Sequence, residues 1–346
     1  MATIFGRKSK KNNYQISNLK SKFESPGLPT GGELVICDID KTYLETNFET
    51  IVGIAKTALE DATEKETVAG AGEVLRSLYW ASTKGPAAIH FVSASPPQMK
   101  NVLEKKLAID RIPWQTATFK NQAYNLKKGR VSALKHHVVY KNIAILSIIG
   151  HSYEAEQISF IGDNAELDGY VYSGIKFLLD GSLSKDGYKE YVKLTANDPH
   201  SVQQLDQYLK ITNSAKVRNI FIRKLKDYPE ANFELLNSGI HTFSSFFKVY
   251  MRLVEQEVIK PNEIWKLTQK FHNKYGESQA SIASALQPLT EHINEEIAQA
   301  AMLSLKKLTK TTPNDQMPQK DQLGTKTYTE EAILAAAKEW LATRKK

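Results

Sequence analysis

The chain has 346 residues, of which 41% are hydrophobic and 24% are charged, a composition typical of globular proteins. It excludes a wholly disordered chain, a collagen-like repeat and a disulfide-stapled miniprotein. One cysteine, Cys37, cannot form an internal disulfide, which indicates a reducing compartment or a fold indifferent to redox conditions. No apolar run reaches the roughly 18 residues of a membrane span, and the basic N-terminus lacks a signal-peptide core, so we expect a cytoplasmic protein.

The net charge of +8 is concentrated at the two ends of the chain. Residues 1–24 contribute +5 and residues 305–346 contribute +4, which leaves −1 for the residues between them. A nucleic-acid-binding domain would carry positive charge on its folded body, so we expect no specific nucleic-acid partner. The basic ends are typical of solvated tails or of segments attracted to anionic surfaces, and peripheral membrane contact is expected only through the N-terminus.

Residues 1–30 are basic and polar and are predicted to be a flexible lead-in. From residue 31 to residue 209, short apolar runs alternate with helical patterns, which is typical of βα units. The predicted strands are Leu34–Cys37, Ala88–Val92, Ile158–Ile161 and Lys176–Leu179. The predicted helices are Ile51–Leu59, Gly72–Trp80, Pro96–Leu107 and Tyr140–Ile149. The pattern predicts an α/β fold with a Rossmann-like parallel sheet flanked by helices.

Residues 210–308 are predicted to form an all-helical region. Its helices are Ala215–Leu225, Phe243–Val258, Asn262–Tyr275 and Ser278–Leu308, the last of which Pro288 should kink or split. Residues 309–346 comprise a polar linker up to residue 327 and a final helix, Glu330–Thr343. The apolar side of that helix could dock on the body or on a partner protein, and a docked or frayed terminal helix is favoured.

The first predicted strand ends in Asp38-Ile39-Asp40-Lys41-Thr42. Two carboxylates that leave a buried strand are costly unless a metal or hydrogen-bond donors compensate them. Ligands in open α/β sheets bind beyond the carboxyl ends of strands, which favours a site here. The alternative is a turn whose acids cap the next helix.

The second predicted strand delivers Ser93 and Ser95, followed by Pro96. Serine before proline is a good helix N-cap, so Ser95 is interpreted as the cap. Ser93, at the strand tip, is the better candidate for binding a phosphate oxygen, although capping alone would explain the local sequence.

A third strand ends in Gly162-Asp163 and is followed by Glu166 and Asp168. Asp163 is placed to complete an oxygen site for Mg²⁺ with Asp38. Asp168, with Glu166 as a further candidate, would orient the metal or its waters. Helix capping by these acids is again the alternative.

Two lysines precede this strand. Lys141 opens a predicted helix and would neutralise the charge of a nucleophilic aspartate and of a bound phosphate, although most such lysines are merely solvated. Lys135 is the competing candidate.

The order of these motifs resembles the haloacid dehalogenase superfamily of phosphohydrolases. Within it, the sequence is most similar to the catalytic domain of the actin-patch phosphatidate phosphatases, whose lipin relatives share the D-x-D-x-T motif. The resemblance covers roughly residues 33–205, and its pieces are Asp38–Thr42, Phe91–Pro96, Tyr140-Lys141 and Ile161–Asp168.

The resemblance implies a magnesium-dependent phosphatase that forms an aspartyl-phosphate on Asp38. Asp40 would be the general acid and base, and Ser93 and Lys141 would hold the phosphoryl group, with Thr42 also counted among the phosphate-binding residues. The implied metal ligands are the carboxylates of Asp38 and Asp163 and the backbone carbonyl of Asp40, with Asp168 in support. Phosphatidate or another lipid phosphomonoester is the leading substrate.

Lys41 departs from the family pattern, which more often has a small or acidic residue there. A cation at this position would lower the pKa of Asp40 or would contact an anionic substrate. The segment from Tyr43 to Gly70 is short, so any cap over the site is expected to be small and to leave it open to a bulky or membrane-borne phosphate.

Two other functions remain open. One is a non-catalytic module that binds phospholipid or phosphoprotein through the same pocket, which would not need Asp40. The other makes residues 211–308 an interaction domain with the phosphatase as its regulator. The histidines, His136, His137, His241 and His272, lack a metal-like arrangement and are interpreted as solvent or core residues.

Overall fold

The structure is a computed structural model that describes residues 32–46, 65–95, 99–120, 137–152, 154–195, 202–210, 214–226, 228, 232–236, 238–309 and 328–344. Four sequence predictions fall outside these ranges: the basic N-terminal segment, the helix Ile51–Leu59, the alternative lysine Lys135 and most of the polar linker.

The fold is built on a six-stranded sheet in the order β3-β2-β1-β4-β5-β6, and every strand pair is parallel. The strands are β1 (Gly32–Cys37), β2 (Ala88–Ser93), β3 (Thr116–Phe119), β4 (Ala155–Asp163), β5 (Lys216–Arg223) and β6 (Ile240–Phe243). β1 is buried along its whole length, which explains its nearly continuous apolar sequence. The predicted α/β fold with a parallel sheet is therefore confirmed.

Helices cover both faces of the sheet. Helices α1 (Ala71–Trp80) and α2 (Lys100–Ile109) pack on the face to which Val35 and Cys37 belong. Helices α3 (His137–His151), α4 (Asp168–Leu179) and α5 (Lys185–Lys193) pack on the opposite face with Leu34 and Ile36. Because successive side chains of a strand point to opposite faces, β1 contributes to two separate cores.

Four further helices follow β6. They are α6 (Phe246–Glu255), α7 (Ile264–Asn273), α8 (Gln279–Leu286) and α9 (Glu295–Thr309). A 3₁₀ turn, Gln287–Glu291, separates α8 from α9 and contains Pro288, so the predicted interruption there is confirmed. Their apolar residues belong to the same core as α1 and α2.

Two of the element predictions were wrong. The predicted helix Ala215–Leu225 is strand β5, which pairs with β4, and β6 follows it in the same sheet. The predicted strand Lys176–Leu179 is the last turn of α4. A short apolar run does not distinguish strand from helix by its periodicity, and pairing with a neighbouring strand decided the first case. The sheet and its core thus extend beyond residue 210.

The final helix, α10 (Glu330–Thr343), packs on the body of the protein. Its inner side buries Ile333, Ala337 and Trp340 against the core of α4 and α5. Thr329 caps it by accepting a hydrogen bond from the Ala332 amide at 3.3 Å. Of the two partners that the sequence left open for this helix, the structure shows the body of the chain.

An ion pair joins α1 to α7, and its contribution to the stability of the fold can be tested. The Glu73 carboxylate accepts from Lys270 at 2.6 Å and from the Tyr275 hydroxyl at 2.7 Å. Burial opposes ionisation of Glu73, but these donors and Arg76 outweigh it and lower its pKa from 4.5 to about 2.

We expect Glu73→Gln to lower the free energy of unfolding by about 1–3 kcal/mol at pH 7. A carboxyl whose pKa is depressed stabilises the fold above its ordinary pKa, and this contribution is lost as the pH falls from 4.5 towards 2. Denaturant unfolding at pH 7 and pH 2.5 measures the difference, with Glu263→Gln, at an exposed pair with Lys266, as the control. An equal loss at both pH values would contradict the prediction.

Candidate active site

The candidate site lies at the carboxyl edge of the two central strands. Asp38 follows β1 directly and Asp163 ends β4, and these strands are neighbours with Cys37 opposite Ile161. The Asp38 amide donates to the Ile161 carbonyl at 2.8 Å, which continues the sheet pattern to this point. The chain leads from β1 to β2 on one side of β1, and later from β3 to β4 on the other side. Both acids therefore lie where the strand order reverses, a preferred ligand site in such sheets.

Three buried aspartates converge there. Carboxylate oxygens of Asp38, Asp163 and Asp168 lie within 4.8 Å of one another, and all three side chains are buried. Asp168 is the first residue of α4, and its Oδ2 accepts a hydrogen bond from the Asp163 amide at 3.3 Å. A side chain at Gly162 would lie 2.5 Å from that oxygen, so the glycine provides the room for Asp168.

Lys141 lies among these acids. Its ammonium donates to Asp38 at 2.8 Å and to Asp168 at 2.5 Å, and it pairs with Glu166 at 2.8 Å. Helix α3 carries this lysine, and only 3% of its side chain is exposed. Of the two lysine candidates, Lys141 is thus brought into the acidic cluster, while Lys135 lies outside the described residues.

The cluster holds four carboxylates against one ammonium, and the pKa values reflect this imbalance. Burial is the largest cause that raises the pKa of Asp38 and Asp168, and Lys141 offsets it only in part. Burial and the neighbouring acids raise the pKa of Asp163 to about 7. Burial alone would lower the pKa of Lys141, but the surrounding carboxylates raise it well above its ordinary value. The lysine is therefore charged, and the acids lack enough compensating positive charge.

Asp40 lies beside this cluster in a ring of hydroxyl groups. Its carboxylate accepts from Ser95 at 2.6 Å, Ser93 at 2.8 Å and Thr46 at 3.1 Å. Burial nevertheless raises the pKa of Asp40. The Ser95 hydroxyl bonds Asp40, a contact that its interpretation as a helix cap did not include. Residues 96–98 lie outside the described residues, so a cap on a helix that starts at Pro96 stays a prediction.

Thr42 and Lys41 point to other partners than those expected. The Thr42 hydroxyl donates to Asp163 at 3.0 Å, so in this structure it supports a carboxylate. Lys41 adopts a left-handed conformation with φ 61°, and its ammonium contacts the Tyr228 hydroxyl and lies 4.3 Å from the centre of that ring. Burial raises the pKa of Asp40 overall, and the Lys41 ammonium contacts Tyr228.

Two residues near the site were missed by the sequence analysis. Lys120 follows β3, and its side chain is buried with 2% exposure. Its position after Thr116–Phe119, a short run rich in residues that favour strands, was the signal that could have indicated it. Arg344 follows α10 and donates from Nη2 to the Asn164 carbonyl at 2.8 Å. The two contact residues are 180 positions apart in the sequence, and no local pattern indicates their contact.

Of the histidines, His241 has its pKa lowered to about 4 by burial, and His272 bonds a backbone carbonyl at 3.0 Å. The metal-like cluster found among the described residues contains aspartates only. His136 and the side chain of His137 lie outside the described part of the chain.

The central strands of the parallel sheet end in buried aspartates, and a helix brings a lysine among them. This arrangement defines an α/β protein with a ligand site at the point where the strand order reverses. Residues 34–184 match the family described as "Phosphatidate phosphatase APP1, catalytic domain". The segment is thus similar to that family, and the resemblance inferred from the motifs is confirmed. The match includes every candidate catalytic residue named from the sequence and ends before β5.

Comparison with solved structures finds a chain in "Structure of the Pnkp1/Rnl/Hen1 RNA repair complex", with 14% sequence identity and a TM-score of 0.30. The similarity covers 46% of the present chain and 43% of that chain. Comparison with curated proteins finds no significant match. No helix among the described residues has both the length and the apolar character needed to cross a membrane.

The charge imbalance predicts that Asp163, a candidate metal ligand, destabilises the protein when no metal is bound. An acid whose pKa is raised by folding destabilises the fold as the pH rises from its ordinary value of 3.8 towards 7, and the full cost is present above pH 7. Asp163→Asn removes this cost and keeps an oxygen that accepts from the Ala165 amide. We expect the variant to be more stable than the wild type by on the order of 1–3 kcal/mol at pH 8 without metal.

Thermal unfolding at pH 4.5 and pH 8, in EDTA and in Mg²⁺, measures this effect. The difference should be small at pH 4.5, and we expect Mg²⁺ to raise the unfolding temperature of the wild type more than that of the variant. Asp186→Asn, at a side chain that is 89% exposed, is the control. A variant less stable than the wild type at pH 8 in EDTA would refute the interpretation.

Proposed function

We propose that this protein is a magnesium-dependent phosphohydrolase of the haloacid dehalogenase type, which forms an aspartyl-phosphate on Asp38. The family match supports phosphatase activity, and phosphatidate or another lipid phosphomonoester is the proposed substrate. The observation that carries the proposal is the cluster in which the single ammonium of Lys141 bonds Asp38 and Asp168 and pairs with Glu166, so that the charge of the carboxylates is only partly compensated.

The donor set fits a divalent cation. Asp38, Asp163 and Asp168 offer carboxylate oxygens close together, and magnesium prefers oxygen ligands. With the backbone carbonyl of Asp40, these residues would hold the ion. When bound, Mg²⁺ supplies positive charge for the acids and for a phosphoryl group.

The proposed reaction has two steps. In the first, an Asp38 oxygen bonds to phosphorus, the bond from phosphorus to the leaving oxygen breaks, and Asp40 gives that oxygen its proton. The raised pKa of Asp40 suits this role because it favours the protonated acid. In the second, Asp40 takes a proton from water, the water oxygen attacks phosphorus, and phosphate leaves Asp38.

The hydroxyl ring supports an enzyme over a binding module. Ser93 and Ser95 both bond the carboxylate of Asp40, and this fixes its position beside the acidic cluster. A module that only bound phosphate would gain nothing from an acid there, because a carboxylate repels the ligand's charge. Ser93 is the last residue of β2, and we propose that its hydroxyl also binds the phosphoryl group there.

The membrane side of the proposal rests on the family and on charge. The basic N-terminal segment lies outside the described residues, and we propose that it contacts anionic lipid at the surface of a cytoplasmic membrane. Among the described residues, the exposed Trp80 and Ile109 end helices that run back to the amino edge of the sheet, away from the site. These two side chains therefore do not provide an apolar membrane anchor at the edge of the sheet that holds the candidate site.

Phosphate release with Mg²⁺ or with EDTA tests the function. The substrates are phosphatidate in mixed micelles and small phosphomonoesters, and the variants are Asp38→Asn and Asp40→Asn. We expect Asp38→Asn to abolish release and Asp40→Asn to lower kcat by about 10²- to 10⁴-fold. Asp186→Asn, on the surface, should retain full activity.

Mg²⁺-dependent release by the wild type alone would support the enzyme. If neither the wild type nor Asp38→Asn released phosphate while phosphatidate vesicles still bound the protein, the proposal would give way to a lipid-binding module.

Lys120 is proposed as a second cation for the substrate phosphate. It follows Phe119, which pairs in register with Ser93, and its amide donates to the Ser95 carbonyl at 3.2 Å. Its ammonium interacts electrostatically with Glu166, which pairs with Lys141. Two buried lysines thus lie on the same side of the site and share the charge of one partly exposed carboxylate, whose place an anionic substrate would take.

The pH dependence of KM tests this role. Burial lowers the pKa of Lys120 to about 8, so its side chain is charged below this pH and becomes neutral above it. We expect KM to rise as the pH increases through about 8, because neutral lysine loses its charge-assisted bond to phosphate. Lys120→Met should raise KM about 10-fold at pH 7 and remove this rise, whereas Lys120→Arg should remove the rise and keep KM near the value of the wild type below pH 8.

Lys106→Met is the matched control, since Lys106 is a buried lysine that pairs with Asp110 instead. An unchanged KM profile in Lys120→Met would exclude a role in substrate binding.

A further inference from the structure

The last described helix reaches the candidate active site from outside the family-matched segment. Helix α10 is fixed at its start, where Glu330 accepts a hydrogen bond from the Ser184 amide at 2.8 Å. Ser184 is the residue before α5, so this contact ties α10 to the body at one end. The other end of α10 leads to Arg344.

The middle of the helix is anchored by an aromatic stack. Trp340 is fully buried, with its ring centre 5.8 Å from that of Tyr170 and 5.7 Å from that of Phe233. Tyr170 lies in the first turn of α4, two residues after Asp168. Phe233 lies against Gly169, where a side chain would come within 2.4 Å of its ring. The stack therefore packs against the first turn of α4, which contains Asp168.

Arg344 then contacts the turn between β4 and α4 directly. Its Nη2 donates to the Asn164 carbonyl at 2.8 Å. The Asn164 amide donates to the Arg223 carbonyl at 3.1 Å, and its side-chain oxygen accepts from the Leu225 amide at 2.9 Å. Strand β5 and helix α10 thus hold one residue, and that residue follows Asp163.

The charge of Arg344 belongs to the same site. Burial lowers its pKa, while Asp163 and Asp168 favour the charged form. A guanidinium remains charged throughout the working pH range of proteins, so it adds positive charge to a cluster that lacks it. The guanidinium has five donors in one plane. It can therefore bond the Asn164 carbonyl while its charge interacts with Asp163 and Asp168.

We infer that α10 is a working part of the active site and that Arg344 is a positioning residue for the turn 163–168. Through Asn164 it holds Asp163 and Asp168 in the geometry that a divalent cation requires. The structural part stands on contacts alone, and only its consequence for catalysis rests on the proposed function.

Hydrogen exchange of the metal-free protein tests the positioning. The variants are Arg344→Ala, Arg344→Lys, and Lys338→Ala as a control on the exposed side of the same helix. We expect Arg344→Ala to speed exchange of the amides in residues 163–168 about 10-fold, with exchange in β1 unchanged. Lys338→Ala should leave both regions unchanged, and Arg344→Lys should restore part of the protection, since it keeps the charge and one donor.

Calorimetric titration with Mg²⁺ adds a second readout. Groups that orient metal ligands typically change metal affinity by 10- to 100-fold, so we expect Arg344→Ala to weaken Mg²⁺ binding about 10-fold. Trp340→Ala should accelerate exchange in the same turn, because it undocks the helix without touching Asn164.

The outcomes separate the two proposals. Unchanged exchange of residues 163–168 in Arg344→Ala would overturn the positioning role, whatever the activity. Faster exchange in that turn would support the role even if the wild type released no phosphate, a result that would overturn the proposed function only.

Discussion

The structure depends on one costly arrangement, the burial of three aspartates around a single ammonium, with the partly exposed Glu166 beside them. Lys141 bonds Asp38 and Asp168 and pairs with Glu166, yet burial keeps the pKa values of the aspartates raised. Removing charges from water without full compensation destabilises a fold. Proteins retain such groups where function requires them, and here the missing positive charge is what a metal ion would supply.

The fold is arranged to tolerate that cost. The strand order places β1 and β4 at the centre of the sheet, so the acids at their tips are rigidly held from both sides. Gly162 leaves the space into which Asp168 fits, and Thr42 bonds Asp163. Each aspartate is held by a separate element. Because folding already orders these side chains, ligand binding does not have to supply the entropic cost of ordering them.

The residues beyond the family-matched segment complete this support. Strands β5 and β6 extend the sheet, and helices α6 to α9 fill the core shared with α1 and α2. Helix α10 packs on the opposite face and carries Arg344 to the turn after β4. The residues after 184 therefore share their hydrophobic cores with the segment that holds the candidate site.

The sequence by itself determined the sheet type and the acidic motifs. Buried parallel strands leave nearly continuous apolar runs, and acids that follow such runs must meet at one edge because parallel strands share their carboxyl ends. Only the tertiary structure decided that Ala215–Leu225 is a strand, that Ser95 bonds Asp40, and that Lys120 and Arg344 lie near the site. These contacts join residues far apart in the chain, and local propensity and periodicity carry no information about such pairs.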